Sequence, residues 1–204
     1  MNASIGILGG SFNPIHVGHL ILAQDAAEKF ELDRVYFVPS ANPPHKPAET
    51  LAPAEHRAAM IEAAIEGDAR LALSRCELER EGVSYTIDTV RDFAAHFPGA
   101  ALRFIIGADT LPELKSWRAI RELLTLCEFV TLARPGFRPE SLGDAQIGLP
   151  PPWPERLRAR IACGHVVEVS STDIRMRLAE GLSIRYLVPS PVEMYICEHR
   201  LYGI

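Results

Sequence analysis

Much of what this sequence lacks is informative. Its four cysteines (Cys76, Cys127, Cys163 and Cys197) stand far apart with no C-x-x-C pair. That spacing argues against a disulfide framework or a structural zinc site and fits a reducing, cytoplasmic compartment. The first 24 residues contain no Asp, Glu, Lys or Arg. A secretory signal needs a basic start, which is missing, and a spanning helix would not tolerate Ser11, Asn13, Pro14, His16 and His19 without partners. There is no surplus of positive charge: the formal net charge is −5 and the pI about 5.8. The chain is therefore no general binder of nucleic-acid polymers or anionic membranes, and any anion it takes must be small and locally held. Neither G-x-x-x-x-G-K-[ST] nor G-x-G-x-x-G occurs, which excludes a Walker-type loop and weakens a redox-dinucleotide reading. No internal repeat or low-complexity tract is present.

What is there is an alternation of short β-branched runs with helical segments. At 204 residues and 48% apolar content the chain suffices for one substantial domain. Strands are expected at 4–8, 34–39, 71–75, 102–107, 128–133 and 166–169. Helices are expected at 18–30, 53–66, 86–97, 120–126, 155–161, 172–180 and 191–199. Pro53 suits a helix start and Gly67 a stop, and Thr86 is placed as an N-cap. Strands dense in Val, Ile and Leu without alternation are those of a sheet covered on both faces. The expectation is an α/β, doubly wound parallel sheet of order 3-2-1-4-5, with a core over 1–169 and a C-terminal helical part over 170–204. Ligands of such sheets lie beyond the strands' carboxyl ends at the switch point between strands one and four. That rule brings residues 9–19, 40–46, 107–109 and 133–136 to one edge. The Pro-rich stretches 39–53 and 135–154 read as long loops.

The stretch Ser4–Leu20, SIGILGGSFNPIHVGHL, carries the densest chemistry. An apolar strand ends in Gly9-Gly10, a turn from Ser11 to Pro14 follows, and His16-Val17-Gly18-His19 opens a helix. Strand, glycine turn and helix start together expose backbone N–H groups to an anion, so phosphate is the first ligand to consider. Two plainer readings compete: the histidines only cap the helix, or H-x-x-H binds a metal. A metal site wants a third ligand, and the nearest acid, Asp25, lies almost two turns on. In the second constellation, Ser170-Ser171-Thr172-Asp173-Ile174-Arg175, the hydroxyls and Asp173 suit a helix start. A cation there does not, unless an anion is nearby, so Arg175 suggests a bound phosphate; solvation or pairing with Glu168 or Glu180 is the alternative. Lys46, on the Pro-stiffened Asn42–Lys46 loop, could reach a phosphate as a point charge. Asp109, closing Gly107-Ala108-Asp109, can accept hydrogen bonds from ribose hydroxyls.

The string G-G-S-F-N-P-I-H-V-G-H resembles the (H/T)-x-G-H signature of the nucleotidyltransferase superfamily, and S-S-T-x-x-R resembles its second, phosphate-binding signature. Further strings narrow the resemblance. Ser84-Tyr85-Thr86 is similar to the S-Y-T of bacterial nicotinate-mononucleotide adenylyltransferases, and Trp117 matches the tryptophan that stacks on the pyridine ring, with a core anchor as the plainer reading. Arg134-Pro135-Gly136 matches the family's R-P-G, with a strand-end salt bridge as its alternative, and N-P-P-H-K its substrate loop. Arg118 matches no motif and receives no role.

The resemblance implies adenylyl transfer from ATP, accompanied by Mg²⁺, to nicotinate mononucleotide. It implies His16, His19, Lys46 and Arg175 as catalytic groups. ATP would be held by Gly9, Gly10, Ser11, Phe12, His16, Gly18, His19, Gly107, Asp109, Arg134, Ser171, Thr172 and Arg175. The mononucleotide would be held by Ser11, Phe12, Lys46, Tyr85, Thr86 and Trp117. No dedicated protein metal cage is expected and no polymer or membrane partner; the choice between monomer and homodimer is left open by the sequence. Phosphopantetheine and glycerol-phosphate nucleotidyltransferases share the opening signature, and a non-catalytic nucleotide sensor on the same fold is the alternative of another class.

Overall fold

The computed structural model describes residues 3–42, 51–133, 137–139 and 142–203. In chain order the elements are β1 (Ser4–Gly10), α1 (Val17–Lys29), β2 (Arg34–Pro39), α2 (Ala54–Ile65), β3 (Leu71–Leu73), α3 (Thr86–His96) and β4 (Ala101–Gly107). A 3₁₀ stretch (Ala108–Ser116) follows, then α4 (Ile120–Leu126), β5 (Glu128–Ala133), α5 (Asp144–Ile147), α6 (Trp153–Arg158), β6 (Ile161–Cys163), α7 (Ser171–Ala179), α8 (Ser190–Glu198) and a 3₁₀ turn (Leu201–Gly203). The strands form one six-stranded sheet of order β3-β2-β1-β4-β5-β6, with the pairs β1–β4, β4–β5 and β5–β6 parallel. This is the doubly wound α/β architecture that the alternation implies, with its switch point between β1 and β4 and a sixth strand added.

The chain divides into two compact units. One holds Met1–Leu8, Leu22–Val35 and Tyr85–Val166. Its core is made by Ile5 and Ile7 of β1, Phe104–Ile106 of β4, Phe129, Val130 and Leu132 of β5, and Val90 and Phe93 of α3, all buried. The other holds Gly9–Ile21, Tyr36–Ser84 and Val167–Ile204. Phe12, Ile15, Phe37, Met60, Ile61, Ile174, Val192 and Ile196 are its buried apolar side chains.

Several expected boundaries shift for physical reasons. No strand forms over 166–169; the sixth strand is β6, five residues earlier. The ladder beside β5 ends where the Gly164 N–H donates to the Ala133 carbonyl at 3.0 Å. The next N–H, of His165, is taken at 2.7 Å by the buried Asp25 carboxylate, so the chain peels away and Val166 is exposed. The helix expected over 155–161 ends at Arg158, because Ile161 is needed in the sheet. Thr86 is not an N-cap. Tyr85 holds the extended cap position, without a side-chain cap bond, and Thr86 is the first helical residue. The second Pro-rich stretch contains α5 and the start of α6. The four cysteines are free; burial pushes the Cys127 thiol up to about 12, which leaves it an inert apolar side chain. Among the described residues no helix is long and apolar enough to cross a membrane.

Candidate active site

In the second unit, the turn after β1 and the start of α1 form one packed constellation. Phe12 adopts a left-handed backbone (φ +45°), unusual for a side chain of its size. Its ring is 1% exposed and packs edge-on against Phe37 (5.6 Å between centroids) and His19 (4.9 Å), which holds it there. The His16 and His19 rings stack at 3.7 Å between centroids, with 26° between their planes. One histidine is thereby pinned by the other.

The hydrogen bonds of the two rings differ. The His19 Nδ1 accepts the His16 backbone N–H at 3.2 Å, and the His19 N–H donates back to the His16 carbonyl at 2.9 Å. This reciprocal arrangement works as a helix cap. It also fixes the tautomer of His19: with Nδ1 as acceptor, the ring proton of a neutral imidazole sits on Nε2. His16 is 6% exposed, and its buried Nδ1 has no hydrogen-bond partner among the described residues. Burial pulls its pKa down to about 4, so at neutral pH the ring is uncharged. The constellation is thus built with one neutral, unsatisfied imidazole and one oriented donor. The capping reading holds for His19, and a buried orphan nitrogen on His16 goes beyond capping.

Gly18 fits because of this ring. A Cβ there would lie 3.0 Å from the His16 Nδ1 and 3.1 Å from its Cε1.

The second constellation lands on the same turn. Ser170 caps α7, its Oγ accepting the Asp173 N–H at 3.1 Å. The Ser171 hydroxyl donates to the Pro14 carbonyl at 2.9 Å. Arg175 is half-buried; it donates to the Asn13 carbonyl at 2.8 Å and to the Thr172 Oγ1 at 3.3 Å. The start of α7, with Ser171, Thr172 and Arg175, is in this way docked on Asn13 and Pro14, in the turn that joins Gly9, Gly10, Ser11 and Phe12 to His16, Gly18 and His19. Arg177 instead donates to the Ser183 carbonyl.

Three residues of this unit escaped the sequence reading. Arg57 of α2 is 1% exposed and donates from Nε to the Ala52 carbonyl and from Nη1 to the Ser11 carbonyl, both at 2.9 Å. Asn13 is 2% exposed, and its side-chain carbonyl oxygen accepts the Ala52 N–H at 2.9 Å and the Tyr202 hydroxyl at 3.0 Å. Burial pushes the Tyr202 phenol well above its usual range, against the pull of Arg175 and Arg57, so it stays a neutral donor. The available signal was the phase of Arg57: it shares a helix face with Met60, Ile61 and Ile65, which are buried.

The first unit holds the other group of candidates. Gly107 ends β4 and the exposed Asp109 opens the 3₁₀ stretch after it. Trp117 follows that stretch, half-buried, with its ring edge-on to Phe104 (5.9 Å) and Phe129 (5.8 Å). It is anchored by the core and only partly covered by it, so the anchor and platform readings are compatible. The Arg118 guanidinium lies 4.4 Å above the centroid of the Tyr85 ring, at the N-terminus of α3. Lys46 and Arg134 lie outside the described residues. No group of three His, Cys, Asp or Glu that could hold a metal ion occurs among the described residues, and Asp25 is engaged by His165.

A doubly wound α/β sheet whose first turn carries two stacked histidines, with an arginine of a later helix bound to that turn, fits a nucleotidyltransferase, and residues 7–177 match the Cytidylyltransferase-like family, to which the chain belongs. Within it, the chain belongs to the nicotinate-nucleotide adenylyltransferases. It is 46% identical over 198 residues to a protein of Opitutus terrae named a probable nicotinate-nucleotide adenylyltransferase, covering 97% of each chain. A protein of Desulfitobacterium hafniense with the same name is 39% identical, covering 98% of this chain and 96% of the other. Among solved structures, the Plasmodium falciparum nicotinic acid mononucleotide adenylyltransferase complexed with NaAD superposes with a TM-score of 0.74 at 19% identity. That superposition covers 98% of both chains and speaks for the fold.

Proposed function

We propose that this chain transfers the adenylyl group of ATP to nicotinate mononucleotide, forming deamido-NAD and pyrophosphate, a step of NAD biosynthesis. An oxygen of the mononucleotide's 5′-phosphate attacks the α-phosphorus, and the bond from that phosphorus to the bridging oxygen of the pyrophosphate breaks. The nucleophile is already an anion, so no general base is needed; the protein's work is positioning and charge stabilisation.

The observation that supports this most directly is the pairing of the stacked histidines with Arg175 on one glycine-started turn. The oriented Nε2–H of His19 and the uncharged His16 act as hydrogen-bond donors to the phosphates, where charge shifts toward the leaving pyrophosphate. Arg175, Lys46, Ser171, Thr172 and the N–H groups of Gly9 to Phe12 hold the remaining phosphate oxygens. Gly107, Asp109 and Arg134 serve the adenosine side. Mg²⁺ arrives as part of the ATP substrate, carried on its phosphate oxygens.

Tyr85, Thr86 and Trp117 take the mononucleotide, with the pyridine ring on the indole face. The nicotinate carboxylate lies at the start of α3, where backbone N–H groups and the Arg118 cation both favour an anion. The test is pyrophosphate release from ATP with nicotinate mononucleotide and, separately, with nicotinamide mononucleotide. Release with the acid form well above that with the amide is expected. No release with either overturns the reading, and equal kcat/KM values overturn the acid preference.

A further inference from the structure

Arg57 has the largest side chain among those almost wholly withdrawn from water, and nothing in the reading above uses it. Burying a guanidinium is costly unless its charge is compensated. Among the described residues it has no carboxylate partner; its two hydrogen bonds go to the carbonyls of Ala52 and Ser11. By contrast, Arg75 in the same unit sits at the surface between Glu55 and Glu62. A buried cation without an anion among the described residues suits an anionic ligand, and the carbonyl it grips belongs to the phosphate turn.

The geometry makes the connection specific. The Ser11–Phe12 peptide is trans, since the cis bonds among the described residues are Asn13–Pro14 and Pro151–Pro152. In a trans peptide the carbonyl and the following N–H point in opposite directions. When Arg57 draws the Ser11 carbonyl toward itself, the N–H of Phe12 is turned to the opposite side. The left-handed conformation of Phe12 costs roughly 1–2 kcal/mol for a non-glycine residue, so the turn needs outside restraint to stay in this state. Arg175 grips the Asn13 carbonyl, which is followed by Pro14 and so has no N–H to turn. The carbonyls of the residues on either side of Phe12, Ser11 and Asn13, which would repel an anion, are both tied to guanidinium groups.

We infer that Arg57 is a positioning residue of the phosphate site: by holding the Ser11 carbonyl it presents the Phe12 N–H to the pyrophosphate portion of the nucleotide, and it adds a buried positive charge behind the turn. The inference rests on the reading of this turn as the phosphate site.

Calorimetric titrations of the full chain with inorganic pyrophosphate and, separately, with adenosine test it. Arg57→Met keeps the length and removes charge and donors; Arg57→Lys keeps the charge and loses the fork. The Kd for pyrophosphate should rise at least tenfold in Arg57→Met and by a smaller factor in Arg57→Lys. Adenosine, which has no phosphate, should bind within twofold of the wild type in both. Equal loss for the two ligands would make Arg57 a merely structural residue, and no loss for either would make it irrelevant; both results overturn the inference. If Arg57→Met does not fold, Arg57→Lys is judged by the same comparison. In the unmodified chain, the Phe12 amide proton should move downfield on adding pyrophosphate, and an unmoved resonance overturns the inference alone. None of these readouts involves the mononucleotide. A wild type that binds pyrophosphate but makes no dinucleotide would therefore overturn the proposed function and leave Arg57's role standing.

Discussion

His16 and His19 stack at 3.7 Å between ring centroids, and the backbone N–H of the first is held by the ring of the second. His19 thus does two things at once: it closes the helix start and aims its Nε2–H. Replacing it with alanine should cost about 10²–10³ in kcat, the usual loss for one preorganised donor at a reacting centre. The fold should survive, because Phe12 keeps its edge-on contact with Phe37 and Ile15 is fully buried. Steady-state turnover beside a thermal melt checks this. A near-wild-type kcat in His19→Ala would remove the histidine from the reaction.

The neutral state of His16 sets a pH dependence. Burial lowers its folded pKa to about 4 from 6.5, so the unfolded chain binds the proton first as pH falls. The sign follows directly. The full stability is present above pH 6.5 and is lost progressively as pH drops toward 4. From that shift the loss amounts to about 3 kcal/mol at pH 4. Thermal or urea unfolding between pH 7 and 4 should show the decline, and His16→Asn should flatten it. Identical pH slopes for the two proteins would mean that His16 is already charged in the fold.

How much of this was legible in the sequence depended on whether the cause was local. β2, β5 and α4 end where propensity and apolar runs place them. The Gly9–His19 stretch announced itself because glycines, proline and histidines are rare enough for their order to carry meaning. The strand expected at Val166–Val169 failed because an acid 140 residues earlier, Asp25, competes for the His165 N–H. Nothing in a valine-rich run records that competition. Arg57 stayed hidden for a related reason. Its partners are backbone carbonyls, which leave no trace in the letters, and an arginine in a helix ordinarily reads as solvated. Only its phase with Met60 and Ile61 hinted otherwise.

Gly18 gives a test in which activity and stability should separate. An alanine Cβ would press on the His16 ring at 3.0 Å, with Val167 Cγ1 at 3.6 Å on another side. The ring cannot yield easily, because it is buried and stacked on His19. Alanine is also the better helix former, by about 1 kcal/mol. The two effects oppose each other in stability, so Gly18→Ala should melt within a few degrees of the wild type. In the reaction they do not cancel, and about a tenfold fall in kcat is expected. A Gly18→Ala enzyme with unaltered kcat would show that the position of His16 is not critical.

Arg118 is where the preference for an acid substrate should reside. Arg91, Arg103, Arg158 and Arg160 of the same unit are each paired with a carboxylate. Arg118 has no hydrogen bond or ion pair among the described residues and rests on the Tyr85 ring through its π-face at 4.4 Å. A cation–π contact leaves the N–H donors at the guanidinium edge available to an anion. A charge-assisted hydrogen bond at an exposed position is worth about one power of ten in affinity. Arg118→Ala should therefore lower kcat/KM for nicotinate mononucleotide about tenfold and leave that for nicotinamide mononucleotide nearly unchanged, since the amide carries no charge to lose. An equal fall for both substrates would assign Arg118 to holding Tyr85 in place, and the acid preference would then belong to the N–H groups at the start of α3.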